Sequence, residues 1–380
     1  MYCVLRRIRD ASLPLVGFCM PGGLPAKGLA VWDGNNWSTL GNVFPNSTVK
    51  VLFAVEQTLY IGGAFNKIGE MPAKSVAKWD GQAWSALGNG LPLVGVGALQ
   101  VWDDGSGSIL FAGGTNIYKW NGATWSLVGA GLGTVLALEL FDDGSGTALY
   151  AGGGFPGRIA RWNGATWSLV GGGMNPSGFV RTLEVFDDGT GPALYIGGAF
   201  AAVGGVPATC VARWNGNAWS AVGDLHLDPD LEEVNELKVL DLGDGPALYA
   251  TGLTGNGGFL MKWDGKQWTS YLPEIGNMYT VEAFDTPAGR RLHLGGAIAI
   301  GQYPNQLHTN IAYFTPPGAG GFGCGDFDGD GVVTQADLGI LLAAFDDCPG
   351  PGCPGDANGD GVVDQQDLGI LLAHFGQECG

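Results

Sequence analysis

Twelve of the thirteen tryptophans fall in one recurring motif, Trp-[Asp/Asn]-Gly-x-x-Trp, at Trp32/Trp37, Trp79/Trp84, Trp120/Trp125, Trp162/Trp167, Trp214/Trp219 and Trp263/Trp268. The first members of successive pairs lie 41 to 52 residues apart. Four strand-like segments fill each interval, and that period is the signature of propeller blades rather than of helical arrays. The expected fold is therefore mainly β, with each motif marking one hairpin of a blade.

One unit shows the pattern in full. Leu136-Ala-Leu-Glu-Leu-Phe leads into the turn Asp142-Asp-Gly-Ser-Gly and then Ala148-Leu-Tyr-Ala-Gly-Gly; Arg158-Ile-Ala-Arg-Trp, the turn Asn163-Gly, and Trp167-Ser-Leu-Val-Gly follow. Asp-Gly and Asn-Gly between alternating apolar residues are hairpin signals, because these residues accept the positive φ of tight hairpins. The paired tryptophans should face each other across the hairpin and pack blade against blade. A Gly-Gly after the second strand, as in Leu59-Tyr-Ile-Gly-Gly, recurs at Gly113-Gly114, Gly152-Gly153, Gly197-Gly198 and Gly295-Gly296, and becomes Thr251-Gly252 in one unit. Small residues there let strands and blades approach closely. Gly-Gly, an aromatic-Asp/Asn turn and Trp together resemble the kelch repeat, with Trp-Asp-Gly standing where kelch has Tyr-Asp-Pro.

Five units are complete, and fragments lie at both ends. Joining the Leu29 to Leu40 hairpin with the inner strands of Tyr279 to Ala297 would close a six-bladed β-propeller and leave no sheet edge exposed. A seven-bladed alternative requires both Ser12 to Phe18 and Ile311 to Phe314 as strands. The expected organisation is an N-terminal segment 1–27, a propeller 28–316, a linker 317–323 around Pro316-Pro-Gly-Ala-Gly-Gly, and a small domain 324–380. Segment 1–27 reads either as a degraded repeat strand or as a short signal peptide, with Arg6, Arg7 and Arg9 preceding Ala11 to Met20.

That small domain holds two copies of one loop, Asp326-Phe-Asp-Gly-Asp-Gly-Val-Val-Thr-Gln-Ala-Asp337 and Asp356-Ala-Asn-Gly-Asp-Gly-Val-Val-Asp-Gln-Gln-Asp367. Calcium takes six to eight oxygens, and an EF-hand-type loop supplies them from positions 1, 3, 5, 7, 9 and 12. The first copy offers Asp326, Asp328, Asp330, the Val332 carbonyl, Thr334 and Asp337; the second offers Asp356, Asn358, Asp360, the Val362 carbonyl, Asp364 and Asp367. Gly331 and Gly361 occupy the sharp turn at position 6. Each loop leads into a helical stripe, Leu338, Leu341, Leu342 and Phe345 in one and Leu368, Leu371, Leu372 and Phe375 in the other. With no helix ahead of either loop and Asp as the last ligand, residues 324–380 resemble a dockerin module, the paired calcium-loop domain that docks enzymes and other cargo onto cohesin domains.

That resemblance implies two bound calcium ions and a cohesin-like or cell-surface protein partner. Dockerins usually read cohesin through loop positions 10 and 11 and through basic residues on the next helix. Here those positions are Gln335, Ala336, Gln365 and Gln366, and no Lys or Arg occurs from Cys324 to Gly380. Cys324 and Cys348 bracket the first unit, Cys353 and Cys379 the second. One disulfide per unit and the pairing Cys348–Cys353 with Cys324–Cys379 are both open.

A formal charge of -18 argues against nucleic acid or an anionic membrane as partner, and no apolar run is long enough to span a bilayer. Bridged cysteines and calcium modules imply an extracellular or cell-surface location. Catalytic signatures are absent from the propeller: Ala123-Thr-Trp125 and Ala165-Thr-Trp167 match only the end of a sialidase Asp box, and His226, His293, His308 and His374 are too scattered for a copper site. One acidic segment, Asp224 to Glu236, interrupts the repeats; it suits a solvated inter-blade loop, a polar funnel, or a carboxylate pair for glycoside hydrolysis. Asp-Asp-Gly-Ser-Gly turns at Asp103, Asp142 and Asp187 (Thr for Ser in the last) could hold weak calcium, but a bulged hairpin explains them without any ion. The reading that follows is a secreted binding protein whose propeller presents a surface to a glycan or protein. Its rivals are a polysaccharide-degrading enzyme carried by the same docking tail and a structural surface protein.

Overall fold

The computed structural model describes residues 43–223 and 231–297 apart from 56, 93–94, 104, 106, 175–177, 243–244, 256, 273–276 and 287–288, together with 5–6, 15–17, 29–32, 37–41, 311–314, 325–327, 332–345, 355, 357 and 363–377. Two units are distinguished, one of Met1–Leu240, Ala247–Glu282 and Leu294–Ala312, the other of Asp241–Pro246, Ala283–His293 and Tyr313–Gly380.

Short strands β1 (Leu5–Arg6), β2 (Leu15–Gly17), β3 (Ala30–Trp32) and β4 (Trp37–Ser38) form a first antiparallel sheet. Five complete four-stranded blades follow. The first contains β5 (Val49–Val55) and β6 (Thr58–Gly63), then a small inserted hairpin, β7 (Lys67–Ile68) and β8 (Met71–Pro72), then β9 (Val76–Trp79) and β10 (Trp84–Ala86). The second is β11 (Ala98–Asp103), β12 (Ser108–Gly113), β13 (Ile117–Trp120) and β14 (Trp125–Leu127). The third is β15 (Val135–Asp142), β16 (Thr147–Gly153), β17 (Ile159–Trp162) and β18 (Trp167–Leu169). In the fourth, β19 (Phe179–Asp187) and β20 (Pro192–Ala199) precede a second inserted hairpin, β21 (Ala202–Val203) and β22 (Val206–Pro207), and β23 (Val211–Trp214) and β24 (Trp219–Ala221) complete the sheet. The fifth is β25 (Leu231–Asp241), β26 (Pro246–Thr254), β27 (Gly258–Trp263) and β28 (Trp268–Leu272). A three-stranded sheet of β29 (Asn277–Thr286), β30 (Gly289–Ala297) and β31 (Ile311–Phe314) comes next, and helices α1 (Gln335–Ala344) and α2 (Gln365–His374) end the chain.

The chain is thus a β-propeller arrangement with five complete blades and two C-terminal helices. The six-bladed closure expected from joined end fragments does not form. Instead of sharing a sheet with Tyr279 to Ala297, the N-terminal Trp hairpin pairs with β2, through Leu15↔Trp32, Val16↔Val31 and Gly17↔Ala30. Each end fragment pairs within its own sheet, β1 to β4 at one end and β29 to β31 at the other, so neither needs the other.

Apolar cores lie between successive sheets. Phe141, Tyr150 and Ile159 of the third blade pack with Val180, Leu194, Ile196 and Trp219 of the fourth; Leu29, Val31 and Leu40 pack the same way on Leu52, Ile61 and Trp79 of the first. The tryptophan motif is the hook that joins them. In the five pairs from Trp79/Trp84 to Trp263/Trp268 the two rings face across the hairpin, Trp162↔Trp167 at 5.2 Å between centroids. The second ring then donates its Nε1–H backward to a carbonyl of the preceding blade: Trp84 to Leu40 O, Trp125 to Leu87 O, Trp167 to Val128 O, Trp219 to Val170 O and Trp268 to Val222 O, at 2.8 to 3.3 Å. The next residue in the preceding blade is glycine. At Gly129, with φ +70°, a Cβ would come within 2.7 Å of Trp162, so the ring lies directly on the backbone.

The first ring of each pair plays a different part. Nε1 of Trp79, Trp214 and Trp263 has no acceptor among the described residues. We therefore expect Trp268→Phe to cost about 1–2 kcal/mol more than Trp263→Phe, the worth of a hydrogen bond whose loss strands a buried carbonyl. Urea denaturation of both variants measures the difference, and equal midpoints would remove the hook from the argument.

Candidate functional site

A cavity of about 420 Å³ opens among the inner strands β5, β11, β15, β19, β25 and β29. Bulges shape its wall. The pairing register shifts between Val49 and Val51, Val135 and Ala137, and Val180 and Thr182, which makes Lys50, Leu136 and Arg181 the extra residues. A bulge re-aims a side chain that a regular strand would send to one face, and all three line the cavity.

An inner strand is also a sheet edge, so its outward N–H groups need partners. Side chains of the preceding blade supply them. Leu237 N–H donates to Thr182 Oγ1 (3.2 Å) and Val239 N–H to Glu184 Oε1 (3.0 Å). Glu236, buried, accepts from Thr280 Oγ1 (2.7 Å) and Val281 N–H (2.9 Å). Asn235 Nδ2 donates to Met278 O (2.8 Å), and Gln100 Nε2 to Glu139 Oε1 (3.2 Å). Cations offset two further carboxylates: Arg181 Nη2 lies 2.9 Å from Glu233 and Lys238 Nζ 3.4 Å from Glu282. Each of these carboxylates thus has a backbone, side-chain or cationic partner in the wall.

Residues Asp224 to Asp230 of the acidic segment lie outside the described residues, and Leu231 onward is inner strand rather than loop. Glu236 therefore joins the cavity wall, as the funnel alternative expected. Sequence reasoning missed Lys50, Gln100, Glu139, Arg181, Glu184 and Lys238. The signal available was a charged or amide residue directly after the central leucine of an otherwise apolar inner strand, as in Leu138-Glu139 and Leu183-Glu184.

Turns at Asp103, Asp142 and Asp187 close on themselves. Asp142 Oδ1 accepts from Gly144 and Gly146 N–H (2.9 and 3.0 Å), and the other two repeat this. The second aspartate of the turn is built into the blade. Asp143 accepts from Tyr150 Oη (2.8 Å) and pairs with Arg161 Nε (2.9 Å). Burial alone would raise its pKa, but hydrogen bonds from Ser145 and Tyr150 and the Arg161 charge overcome that and hold the carboxyl below the usual range. Burial, then the bond to Asp143, pushes the Tyr150 hydroxyl up. Asp188, Tyr195 and Arg213 repeat the arrangement. These carboxylates serve the blades, and no ion is needed to explain them.

In the C-terminal segment, Val333, Leu341, Val363 and Leu371 form a four-residue core. Of the proposed calcium ligands, Asp326, Val332, Thr334, Asp337, Asp364 and Asp367 are described; Asp328, Asp330, Asp356, Asn358, Asp360 and Val362 lie outside the described residues, as do Cys324, Cys348, Cys353, Cys379 and His308. Among the described residues there is no group of three or more His, Cys, Asp or Glu set to hold a metal. The two closing aspartates behave alike. Asp337 is fully buried, accepts Phe327 N–H (2.5 Å) on Oδ1 and Thr334 N–H (2.8 Å) on Oδ2. Asp367, equally buried, accepts Ala357 N–H (2.7 Å) and Asp364 N–H (2.8 Å). Each closes a capping box at the start of its helix. The expected apolar stripe is only partly buried: Leu341 and Leu371 are inside, but Leu342 and Leu372 are each 56% exposed.

No family model matches this chain, and no curated protein matches it. Solved structures do. The extracellular domain of a hybrid two-component system from B. thetaiotaomicron is similar with a TM-score of 0.52 at 14% identity, over 82% of this chain and 38% of that one. This chain thus spans well under half of that protein's length. A chain of the crystal structure of BBS1N in complex with ARL6DN gives a TM-score of 0.45 at 12% identity, over 83% of this chain and 92% of that one. At such identities the likeness is one of propeller fold alone.

Proposed function

We propose that this chain is an extracellular or cell-surface binding protein, in which the propeller holds a ligand without transforming it and a calcium-binding C-terminal module docks it to a protein partner. The observation that carries the reading is the twofold repetition of one loop-to-helix device. Asp337 and Asp367 are buried at the same loop position, and each is aimed by the N–H groups of positions 2 and 9 of its own loop. Such orientation of a carboxylate by outer hydrogen bonds is what a metal ligand requires.

The donor set fits calcium. Each loop offers oxygen only, from carboxylates, a carbonyl and a hydroxyl or amide, and no thiolate or imidazole lies in either frame. Asp326, Asp328, Asp330, Val332, Thr334 and Asp337 would hold one ion, and Asp356, Asn358, Asp360, Val362, Asp364 and Asp367 the other. Bound calcium supplies positive charge to a segment holding 11 of the chain's 36 acidic residues and no Lys or Arg. The partner would be cohesin-like or part of a cell surface. It would meet a face without basic residues, made by Gln335, Ala336 and Leu342 and their counterparts Gln365, Gln366 and Leu372, all exposed. The engaged cavity carboxylates support a non-catalytic propeller, and a glycan or a protein is its expected ligand.

Calcium titration of the oxidised full chain tests the reading, with heat and far-UV circular dichroism followed together. Two binding events are expected, with dissociation constants of roughly 10⁻⁴ to 10⁻³ M as in other extracellular modules. Asp326→Ala combined with Asp356→Ala should abolish both. A chain that takes up no calcium at millimolar concentration would end the proposal.

A further inference from the structure

Three of the tryptophan hairpins turn on Asn-Gly, at Asn121-Gly122, Asn163-Gly164 and Asn215-Gly216; the equivalent turns Trp79-Asp80-Gly81 and Trp263-Asp264-Gly265 carry aspartate. All five hold the side-chain oxygen in the same way. Asn121 Oδ1 accepts from Ala123 N–H (2.9 Å) and Thr124 N–H (2.7 Å), with Thr124 Oγ1 at 3.4 Å. Asn163 Oδ1 accepts from Ala165 N–H (2.9 Å) and Thr166 N–H (2.8 Å), and Asn215 Oδ1 from Asn217 N–H (3.0 Å) and Ala218 N–H (2.9 Å). Asp80 and Asp264 accept the matching pairs at 2.7 to 2.9 Å.

We infer that these turns are self-processing modification sites, in which the fold promotes conversion of Asn121 and Asn163 to aspartate. The nucleophile is the backbone nitrogen of the following glycine. It gives its proton to solvent base and bonds to the asparagine Cγ; Nδ2 leaves as ammonia with a proton from solvent, and a five-membered imide remains. Water then opens the imide to a carboxylate. During attack the negative charge gathers on Oδ1, where two backbone N–H groups already point. Donors fixed where charge develops are the arrangement of an oxyanion hole.

Access favours the same two sites. Asn121, Gly122, Asn163 and Gly164 are exposed, the N–H groups of Gly122 and Gly164 form no hydrogen bond among the described residues, and nothing lies within 4 Å of where either glycine's Cβ would be. Gly216 is more confined, since its Cβ would come within 2.5 Å of Asp143 O. The chain also contains its own control. Asn89-Gly90 is the same dipeptide, but Gly90 N–H is engaged with Leu87 O (3.1 Å), the glycine is pressed on Lys74, and no donor reaches Asn89 Oδ1 among the described residues. The product has a place to rest as well. Asp80 and Asp264 hold the identical turn, and hydrogen bonds from the backbone N–H groups of Ala83 and Gln82, and of Gln267 and Lys266, keep these carboxyls below their usual range.

The test is a time course of the folded full chain at mildly alkaline pH, read site by site by peptide mass mapping that separates aspartate from isoaspartate. In the folded chain Asn121 and Asn163 should convert about tenfold or more faster than Asn89, given the worth of oriented oxyanion donors. In urea the rates should converge. Asn121→Asp, made directly, should melt with the parent protein because Asp80 already serves in that turn. Folded-state rates at Asn121 and Asn163 that match or fall below that of Asn89, or no conversion at any of them, would overturn the inference.

Discussion

Gly153→Ala is expected to unfold its blade, whereas Gly164→Ala, eleven residues on, should leave the propeller standing. The contrast separates two uses of glycine in one blade. A Cβ at Gly153 would lie 2.1 Å from the backbone oxygen of Thr134 and 3.0 Å from Val135 Cα. No side chain can swing aside to relieve that contact. The strands must separate where Gly154 N–H meets Thr134 O at 2.9 Å, which is the start of the inner strand and its bulge. Overpacking that moves backbone falls at the upper end of core effects, and about 3 kcal/mol or more is expected. The same approach recurs at Gly63, Gly198, Gly252 and Gly296, each within 2.0 to 2.2 Å of a backbone oxygen of the paired strand, so the penalty belongs to the repeat. Gly164 instead has φ +95° with nothing within 4 Å, and its substitution costs only backbone strain, about 1–2 kcal/mol. Urea denaturation followed by tryptophan fluorescence compares the two. A Gly153→Ala protein within about 1 kcal/mol of the parent would show that the blade relaxes around the pair and that its glycines are not obligatory.

Much of this blade logic could be read from the chain because it repeats. Tryptophan pairs and Gly-Gly recur at fixed offsets, and each has a steric explanation that repeats: Trp across from Trp, a glycine under the ring, and at Gly63, Gly153, Gly198, Gly252 and Gly296 a glycine under the neighbouring carbonyl. The ends of the array were harder, since Leu29 to Leu40 has two candidate partners, β2 and the strands of Tyr279 to Ala297, and the one it takes, β2, is only three residues long. Cavity residues were hidden for another reason. Lys50 and Arg181 share their bulge position with Leu136, and Glu139 and Glu184 share theirs with Phe53, so the period is broken at both places; what brings these residues together is the bulge and the ring, both long-range. In the C-terminal segment the loop frame was explicit, and the exposure of Leu342 and Leu372 was not, because a stripe at helical spacing marks one face without saying what covers it.

That segment carries the second large effect. Replacing Asp337 and Asp367 together by alanine should unfold both helices, and not merely weaken ion binding, while Asp326→Ala, which caps neither helix, should retain the apo helices and weaken calcium binding. Each closing aspartate satisfies two backbone N–H groups from inside the fold, Phe327 and Thr334 in one copy and Ala357 and Asp364 in the other. Stranding buried donors costs about 1–3 kcal/mol apiece, and losing a cap adds about 1 kcal/mol for each helix. Against this stands a core of four buried residues, Val333, Leu341, Val363 and Leu371, too small to absorb several such losses. Far-UV circular dichroism and urea denaturation of the full chain without calcium should therefore show the helical signal lost in the double variant and kept in Asp326→Ala, although neither retains full calcium uptake. Helices that persist in the double variant would mean that the apolar core holds the segment without the carboxylates. Equal loss in both would assign folding to the ion itself. The outcome expected here places Asp337 and Asp367 earlier in the chain of causes: they fold the loop first, and the loop so folded presents its oxygens to calcium.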